Sequence, residues 1–569
     1  MILSPKVNNI EKNIGLLSRM QNYGNQILML CILLGVAIMF AIDNYGGFWE
    51  DEMFQTLCVR NYMEAPLGLM TFYVGHVWTE IFGFTMLSLR YLTSIETTLA
   101  IGVTTFFLFG LTGNKLLTAF TFLVACILTK LSAFPLYNWD SGSYLFDALS
   151  VCLLISVLTK PSTWKYLWLG FSIGLMTLGR APSGLFLPLS LLMVVMASRH
   201  NEPRYKPLRG TMIIFAGWLA AMLLFTTIVL SMPTKYVELL TEGNVISGHS
   251  PLKDWGYLFE RLLGIIKKTT WTWFPGVGCM LLAGIMPKIK RKRNQFWILS
   301  IWVVFCLILS YNLVKFDLDI PLILGGDASV GLGFLLVYPV YYLFNHGKRD
   351  KLLTICLWSV LCLYISMMCG SDAYIERIET GFTIPLIIGL LWKTGIKGIR
   401  SYIKYALGCL LIVFGLMLCN YMINMVVRMN KIGEVRSEIP FTGIHTEKES
   451  WWLDEIHNVD QAIPYLQENN VRFAYFGHHF LIELFYGRNE GLPFQEYQQR
   501  LEWEEGWGPY KQQVLKNVDA FVHKDRRTPY FHEVIKPEIE SLGFTDSVRM
   551  GDATIFFREG YRSSHRLEP

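Results

Sequence analysis

Three acids stand side by side in "FWEDEMFQ": Glu50, Asp51 and Glu52, a few residues after the apolar run "QILMLCILLGVAIMFAI", which ends at Ile42. Carboxylates are expensive near hydrocarbon and are kept away from it unless they work. A positioned carboxylate can take the proton from an attacking hydroxyl. It can also do something plainer. Asp51 stands where a helix would begin, and an acid there caps the helix and complements its dipole. The residues alone leave both readings open.

The elements that must position these acids are membrane helices. The 569 residues are 52% hydrophobic, 14% aromatic and 17% charged, where a soluble protein carries about 25% charged residues. Apolar runs recur at roughly 17 to 25 residues, the length that spans a bilayer as helix. About thirteen spans are expected, near 27–42, 87–111, 116–133, 144–159, 166–180, 184–198, 211–231, 270–287, 295–314, 328–345, 352–369, 380–395 and 402–426. Alternate connections are basic: the N-terminus with Lys6, Lys12 and Arg19, then Lys115, "KPSTWK", "SRHNEPRYKPLR", "KIKRKRN", "HGKRDK" and "KTGIKGIRSYIK". The positive-inside rule puts these loops and the N-terminus in the cytoplasm. Residues 43–86, 134–143, 232–269, 315–327, 370–379 and the tail from about 427 then share the exterior face. No small-residue cleavage site follows the first apolar segment, which reads as a retained span.

Charge divides the chain in two. From Arg428 onward there are 17 basic and 23 acidic residues, against 33 basic and 22 acidic before it. The expected fold is a polytopic α-helical membrane domain over 1–426, with its first exterior loop at 43–86, followed by a small soluble α/β domain over 427–569. In that tail "WWLDEIHNVDQAIPYLQENN" has helical periodicity, "VRFAYFG" and "VDAFVHK" read as strands, and "FTDSVRMGDATIFFRE" reads as a hairpin around Met550 and Gly551. All eleven cysteines precede residue 420, with neither metal spacing nor a disulfide framework. The basic residues lie in short loops between spans, so no nucleic-acid partner is implied.

The first exterior loop has structure of its own. "DEMFQTLCVRNYM" and "PLGLMTFYVGHVWTEIF" both show helical periodicity, the second opening on Pro66. Two amphipathic helices lying flat at the interface are expected. An acidic pair after the first span, a proline, an aromatic-rich helix, then "FG" and "LR" before the second span make up "DEMFQ…APLGLM…WTEIFGFTMLSLRYL". This order resembles the GT-C superfamily of membrane glycosyltransferases, and within it the protein O-mannosyltransferases and the bacterial enzymes that add aminoarabinose to lipid A. The resemblance covers the membrane part and is strongest over 44–200.

The resemblance implies a sugar donor linked to a polyprenyl phosphate and transfer at the exterior face, usually with inversion. It implies Asp51 as the acid at the reacting centre, with Glu52 as its partner. A second family acid opens the fourth span, and in "FDALSVCLLISV" Asp147 matches it; Asp140, in "YNWDSGSY", is a nearby rival. A cation between the fifth and sixth spans falls on Arg180 of "TLGRAPSGLFLPL". The late segment "GSDAYIERIETGFTIPL" matches more loosely and offers Glu376 and Arg377. The sequence departs from the family before the loop proline, where Glu64 and Ala65 replace the usual His or Lys.

The chemistry has use for these types. A polyprenyl phosphate leaves as an anion, and its charge needs a cation or a donor array. Arginine is suited to this because its fork grips phosphate in two places. Arg60, Arg90, Arg180, Arg261 and Arg377 belong to the exterior face, and Arg180 is flanked most closely by apolar spans. A snorkelling role for Arg180 and an interfacial anchor for Arg90 are the plainer readings. Tyr137, Trp139 and Tyr144 can stack on a sugar or simply form an aromatic belt. His76 reads as a packed interfacial residue, and the neighbours His478 and His479 point apart. No glycine-rich phosphate loop or zinc spacing is present. The expectation is therefore a transferase with catalytic Asp51, Glu52 and Asp147, donor-phosphate ligands Arg180 and Arg377, and substrate contacts from Asp140, Arg60 and Tyr144, with no metal and no cofactor. Its partners would be the polyprenyl-phosphate sugar, a glycolipid, glycan or protein acceptor, and membrane lipid. In a Gram-negative cell it would sit in the inner membrane with its tail in the periplasm. Two rivals are a flippase or transporter of lipid-linked saccharides, which needs polar residues along a path through the spans, and a non-catalytic membrane protein that binds a partner outside.

Overall fold

The computed structural model describes residues 5–46, 50–65, 68–132, 136–198, 207–230, 236–237, 273–316, 337, 359, 384–393, 398–448, 451–477, 479–487, 517–524 and 530–565. The protein is a polytopic helical membrane protein with a small C-terminal α/β domain. Among the described residues, six helices are long and apolar enough to cross a membrane: Tyr23–Phe40, Met86–Thr112, Gly142–Thr159, Leu208–Leu230, Lys292–Tyr311 and Ile399–Ile432. Shorter apolar helices run over Ala181–Met196 and Ile384–Lys393. The spans expected near 328–345 and 352–369 lie outside the described residues but for single helical positions at Val337 and Ser359.

The elements that carry the site come early. They are α1 (Pro5–Phe40), α2 (Glu50–Arg60), α3 (Leu69–Phe82), α4 (Met86–Thr112), α5 (Lys115–Ser132), α6 (Trp139–Thr159), α7 (Thr163–Gly179), α8 (Phe186–Ser198) and α9 (Pro207–Leu230). Successive spans run antiparallel, so the end of α1, the start of α4, the end of α5, the start of α6 and the end of α7 meet at one end of the bundle. Local chemistry sets the boundaries. Thr85 caps α4 by accepting from the Ser88 amide at 3.1 Å, and Gly113 ends it in the left-handed conformation at φ 64°.

Among the described residues four further apolar helices follow: α10 (Trp273–Ile285), α11 (Lys292–Phe316), α12 (Ile384–Lys393) and α13 (Ile399–Ile432). The last has 34 residues, which at 1.5 Å per residue is about 50 Å, well beyond a hydrocarbon core of roughly 30 Å. Its end projects from the bundle and feeds β1 (Gly433–Val435), which pairs antiparallel with β2 (His445–Glu447). The C-terminal domain continues with α14 (Trp451–His457), α15 (Ala462–Glu468), β3 (Phe473–Phe476), α16 (His479–Tyr486), β4 (Ala520–Lys524), α17 (Lys536–Ser541), β5 (Asp546–Met550), β6 (Ala553–Phe557) and α18 (Tyr561–His565). Its sheet has the order β3-β4-β6-β5, with β3 and β4 parallel and the other pairs antiparallel. The segment read as one helical stretch over 451–470 is two short helices broken at Asn458–Gln461.

One expectation about the first loop needs correcting. Helix α2 is not an amphipathic helix lying at an interface: Glu52 to Val59 are all buried. The physical reason is a cover from the far end of the chain. Met53, Phe54 and Leu57 share one apolar cluster with Trp452, Leu481 and Leu484 of the C-terminal domain. Helix α3 fits the expectation better. Its Leu69, Met70 and Phe72 are buried while Val77, Ile81 and Phe82 stay exposed.

Candidate functional site

The stretch after the first span is held at three points. Asp43, fully buried, forms an ion pair with Lys130 of α5 and accepts from Ser94 Oγ of α4 at 2.7 Å. Next, the Asn44 carbonyl accepts from the His445 amide at 2.8 Å, and the Gly46 amide donates to the His445 carbonyl at 3.1 Å. The Tyr45 and His445 rings stack at 4.6 Å. Finally, Glu52 takes a two-pronged grip from Arg90 of α4: Nε donates to Oε1 at 2.6 Å and Nη2 to Oε2 at 2.8 Å. The remaining prong, Arg90 Nη1, donates to the Asp43 carbonyl at 3.0 Å. Burying four charges is costly, and only such dense pairing offsets it. What it yields is register: α1, α2, α4 and α5 are fixed against one another at one end.

Asp51 is the second residue of α2, in the turn that this network fixes. A carboxylate in the first turn suits the helix dipole. The second wall comes from α3, α6 and α7. Tyr137 Oη donates to the Thr71 carbonyl, and Thr71 Oγ1 donates to the Gly179 carbonyl at 3.1 Å. A methyl group at Gly179 would stand 3.3 Å from Ser143 Cα, so the end of α7 lies directly on the first turns of α6. There Ser143 Oγ donates to Asp147 Oδ2 at 3.1 Å, and Tyr144 and Asp147 are fully buried. The residue after Gly179 is Arg180, whose extended backbone breaks the chain between α7 and the short 3-10 turn Ala181–Leu185. It is 3% exposed and reaches Ser183 Oγ at 3.5 Å.

The expected residues thus fall into groups. Tyr144 and Asp147 are buried in the first turns of α6, and Arg180 is buried just past the end of α7, which packs on those turns. Glu52 is held by Arg90, which is a buried ion partner rather than an interfacial anchor. Asp51 and Asp140 are placed by their backbones in the first turns of α2 and α6. Arg377 and Glu376 lie outside the described residues.

Arg60 turns away from that meeting point. Its Nη1 donates to the Glu483 carbonyl at 3.2 Å, its guanidinium covers the Phe84 ring at 4.5 Å, and Asn61 Nδ2 donates to Glu483 Oε1 at 3.3 Å. Burial lowers its pKa, and the charge of Glu483 works against that shift. Cations favour the last carbonyls of a helix, so Arg60 docks the end of α16 onto α2.

Asp43, Lys130 and Ser94 were missed in the sequence. A signal existed, because Lys130 and Glu96 are charges inside apolar runs. Tyr137 is a hydrogen-bonded core residue, and His76 packs its ring 4.6 Å from that of Tyr62. Among the described residues, no three His, Cys, Asp or Glu side chains converge as metal ligands.

No family profile matches the sequence, and no curated protein matches it. Among solved structures the fold is similar to ArnT from Cupriavidus metallidurans. In its crystal form bound to undecaprenyl phosphate, the TM-score is 0.42 at 13% identity over 93% of this chain and 97% of that one. In its apo state the TM-score is 0.43, with the same identity and coverage.

Proposed function

We propose that the protein is a glycosyltransferase that moves a sugar from a polyprenyl-phosphate carrier to a glycolipid, glycan or protein acceptor at the exterior face of the membrane. One observation carries this reading. The end of the apolar bundle that bears the sheet domain carries a first-turn acid on α2, the buried acid Asp147 on α6 and the buried cation Arg180 past the end of α7. Carboxylates can take the acceptor proton. A buried guanidinium can bind and stabilise the departing carrier phosphate. Apolar helices around it suit a polyprenyl chain. The basic loops of the other end support a cytoplasmic placement there, which puts the site outside. In this reading Asp51 acts at the reacting centre, Asp140 and Tyr144 line the sugar, and inversion follows from direct attack on the anomeric carbon.

The test is a transfer assay. Purified protein given total lipid from its native membranes should consume a sugar-bearing carrier and release bare carrier phosphate, read by mass spectrometry. Undecaprenyl phosphate alone, the lipid in the ArnT crystal, serves as a binding probe. Arg180→Ala should weaken its retention by about 10-fold or more, and Arg180→Lys should recover it only in part, since Lys has no planar fork. Retention unchanged in Arg180→Ala would remove Arg180 from the site. No sugar-bearing carrier consumed by wild type would overturn the transferase reading.

A further inference from the structure

The densest charge among the described residues lies outside the candidate site, at the turn that joins α10 to α11. Every residue from Lys288 to Arg293 is a cation except Ile289, and no acid occurs anywhere between Trp273 and Phe316. The turn belongs with the other basic loops, at the end of the bundle away from the sheet domain. Lys288, Lys290, Arg291, Lys292 and Arg293 are all exposed, and among the described residues none of their side chains has an ion pair or a hydrogen bond.

The turn is closed by its own hydrogen bonds. Gln295 Nε2 donates to the Ile289 carbonyl at 2.8 Å and to the Met286 carbonyl at 3.4 Å, and the Asn294 amide donates to the Arg291 carbonyl at 3.0 Å. Like charges are therefore held close together, which is unfavourable. Lys292 and Arg293 add to the cost, because they stand in the first turn of α11, where the helix dipole favours anions. Orienting a span takes positive charge in the loop, but not this density set against the dipole. A bound anion offsets both terms.

The flanks show which anion fits. Residues four apart share a helix face, so Lys292 stands one turn from Phe296 and Arg293 one turn from Trp297. Both rings are exposed, as are Leu281 and Ile285 on α10, and the span Lys292–Tyr311 is mostly uncovered by protein. The cations thus open directly onto an apolar wall. A nucleic acid or an acidic peptide would match the charge and leave that wall unmatched. A phospholipid of net negative charge matches both, with its phosphate gripped by lysine and arginine.

We propose that the α10–α11 turn binds an anionic phospholipid, whose headgroup phosphate sits among these cations while its chains lie along Phe296 and Trp297. Such a site is independent of the transferase reading.

The experiment incubates the full-length protein in detergent with dioleoyl phosphatidylglycerol and, separately, with dioleoyl phosphatidylcholine, and reads retained lipid by native mass spectrometry. Wild type should prefer the anionic lipid by about 10-fold or more, and salt should shrink the preference. Exchanging Lys290, Arg291, Lys292 and Arg293 together for Gln should bring the two lipids to parity. Should that variant fail to insert, Lys290→Gln with Arg291→Gln, both before α11, should still cut the preference about threefold or more. Phe296→Ala with Trp297→Ala keeps every charge and should weaken retention of both lipids; unchanged retention there would remove the apolar wall from the site. An unchanged preference in an inserted charge variant overturns the proposal. So does displacement by inorganic phosphate at equal concentration, which marks a site for a free anion. An equal loss in Arg180→Ala would place the lipid in the donor site instead. Wild type that binds a single-stranded oligonucleotide without any lipid preference would mark a nucleic-acid surface, and no preference of either kind would leave the turn to orient the span.

Discussion

Because both oxygens of Glu52 are engaged by the Arg90 guanidinium, the proton-transfer role in the proposed reaction falls to the adjacent Asp51. The two acids then answer differently to the same change. Asn caps or opens a helix about as well as Asp but cannot take a proton. Asp51→Asn should leave the melting temperature near wild type while transfer falls about 10²- to 10⁴-fold, the usual worth of a general base. Glu52→Gln should lose stability as well, by about 3 to 5 kcal/mol, because it strands a buried Arg90. Thermal melting and transfer rates on both variants check the pair, and full activity in Asp51→Asn would leave the acid as a cap only. The sequence showed the acids, and the loop order pointed to them. It could not show which of them was already paired, since Arg90 lies 38 residues on and an ion pair across spans leaves no local pattern. Lys130 was visible as a charge in an apolar run, but its partner Asp43, at the edge of another run, was not.

Helix α7 and helix α9 illustrate what hydropathy does and does not reveal. Their existence follows from apolar length alone. Their closeness follows from small residues: "GFSIG" places Gly170 and Gly174 one turn apart on α7, and Gly217 and Ala221 do the same on α9. A methyl at Gly170 would stand 1.9 Å from the Ile214 carbonyl oxygen, and one at Gly217 would stand 2.4 Å from that of Leu167. Both obstacles are backbone, which cannot swing aside. This is the small-xxx-small pattern by which membrane helices approach closely, a signal that the hydropathy-based reading of the spans did not use. Gly170→Leu should push α9 off α7 and disturb the end of α7 that carries Arg180. The expected outcome is a lower melting temperature together with weaker undecaprenyl phosphate retention. The same substitution at Gly102, with open space around its position, should leave both near wild type. Helix α2 is the opposite case. Its periodicity reads as that of an amphipathic surface helix, yet Glu52 to Val59 are buried, and what covers them comes from some 400 residues away.

At the scale of the whole molecule, the acidic tail and the basic bundle behave as one unit. The Met86 amide at the head of α4 donates to the Pro440 carbonyl in the linker between β1 and β2 at 2.9 Å, and α16 closes over α2. A fault in the C-terminal domain should therefore reach the site, and His523 offers a way to introduce one by pH. It lies at the end of β4, 2% exposed, with its ring stacked on Phe531 at 3.5 Å. Burial, aided by the charges of His532, Lys524 and Lys536, lowers its pKa from 6.5 to about 3. The sign follows from linkage. Above about pH 6.5 the ring is neutral both folded and unfolded and contributes no pH dependence. As pH falls from there towards about 3 the unfolded chain takes a proton that the folded domain refuses, so stability drops. Below the folded pKa the term levels off. The domain should thus loosen in mild acid, before most carboxylates titrate, and uncover α2 as it does. His523→Phe keeps a flat ring on Phe531 and removes the titration. Its melting temperature should match wild type at pH 8 and exceed it by pH 5, with transfer activity surviving to lower pH in step. Parallel melting curves across that range would show that His523 is not the acid-sensitive group. Parallel activity curves with diverging melting curves would show instead that the domain can loosen without disturbing the site, and that α2 is held by Arg90 alone.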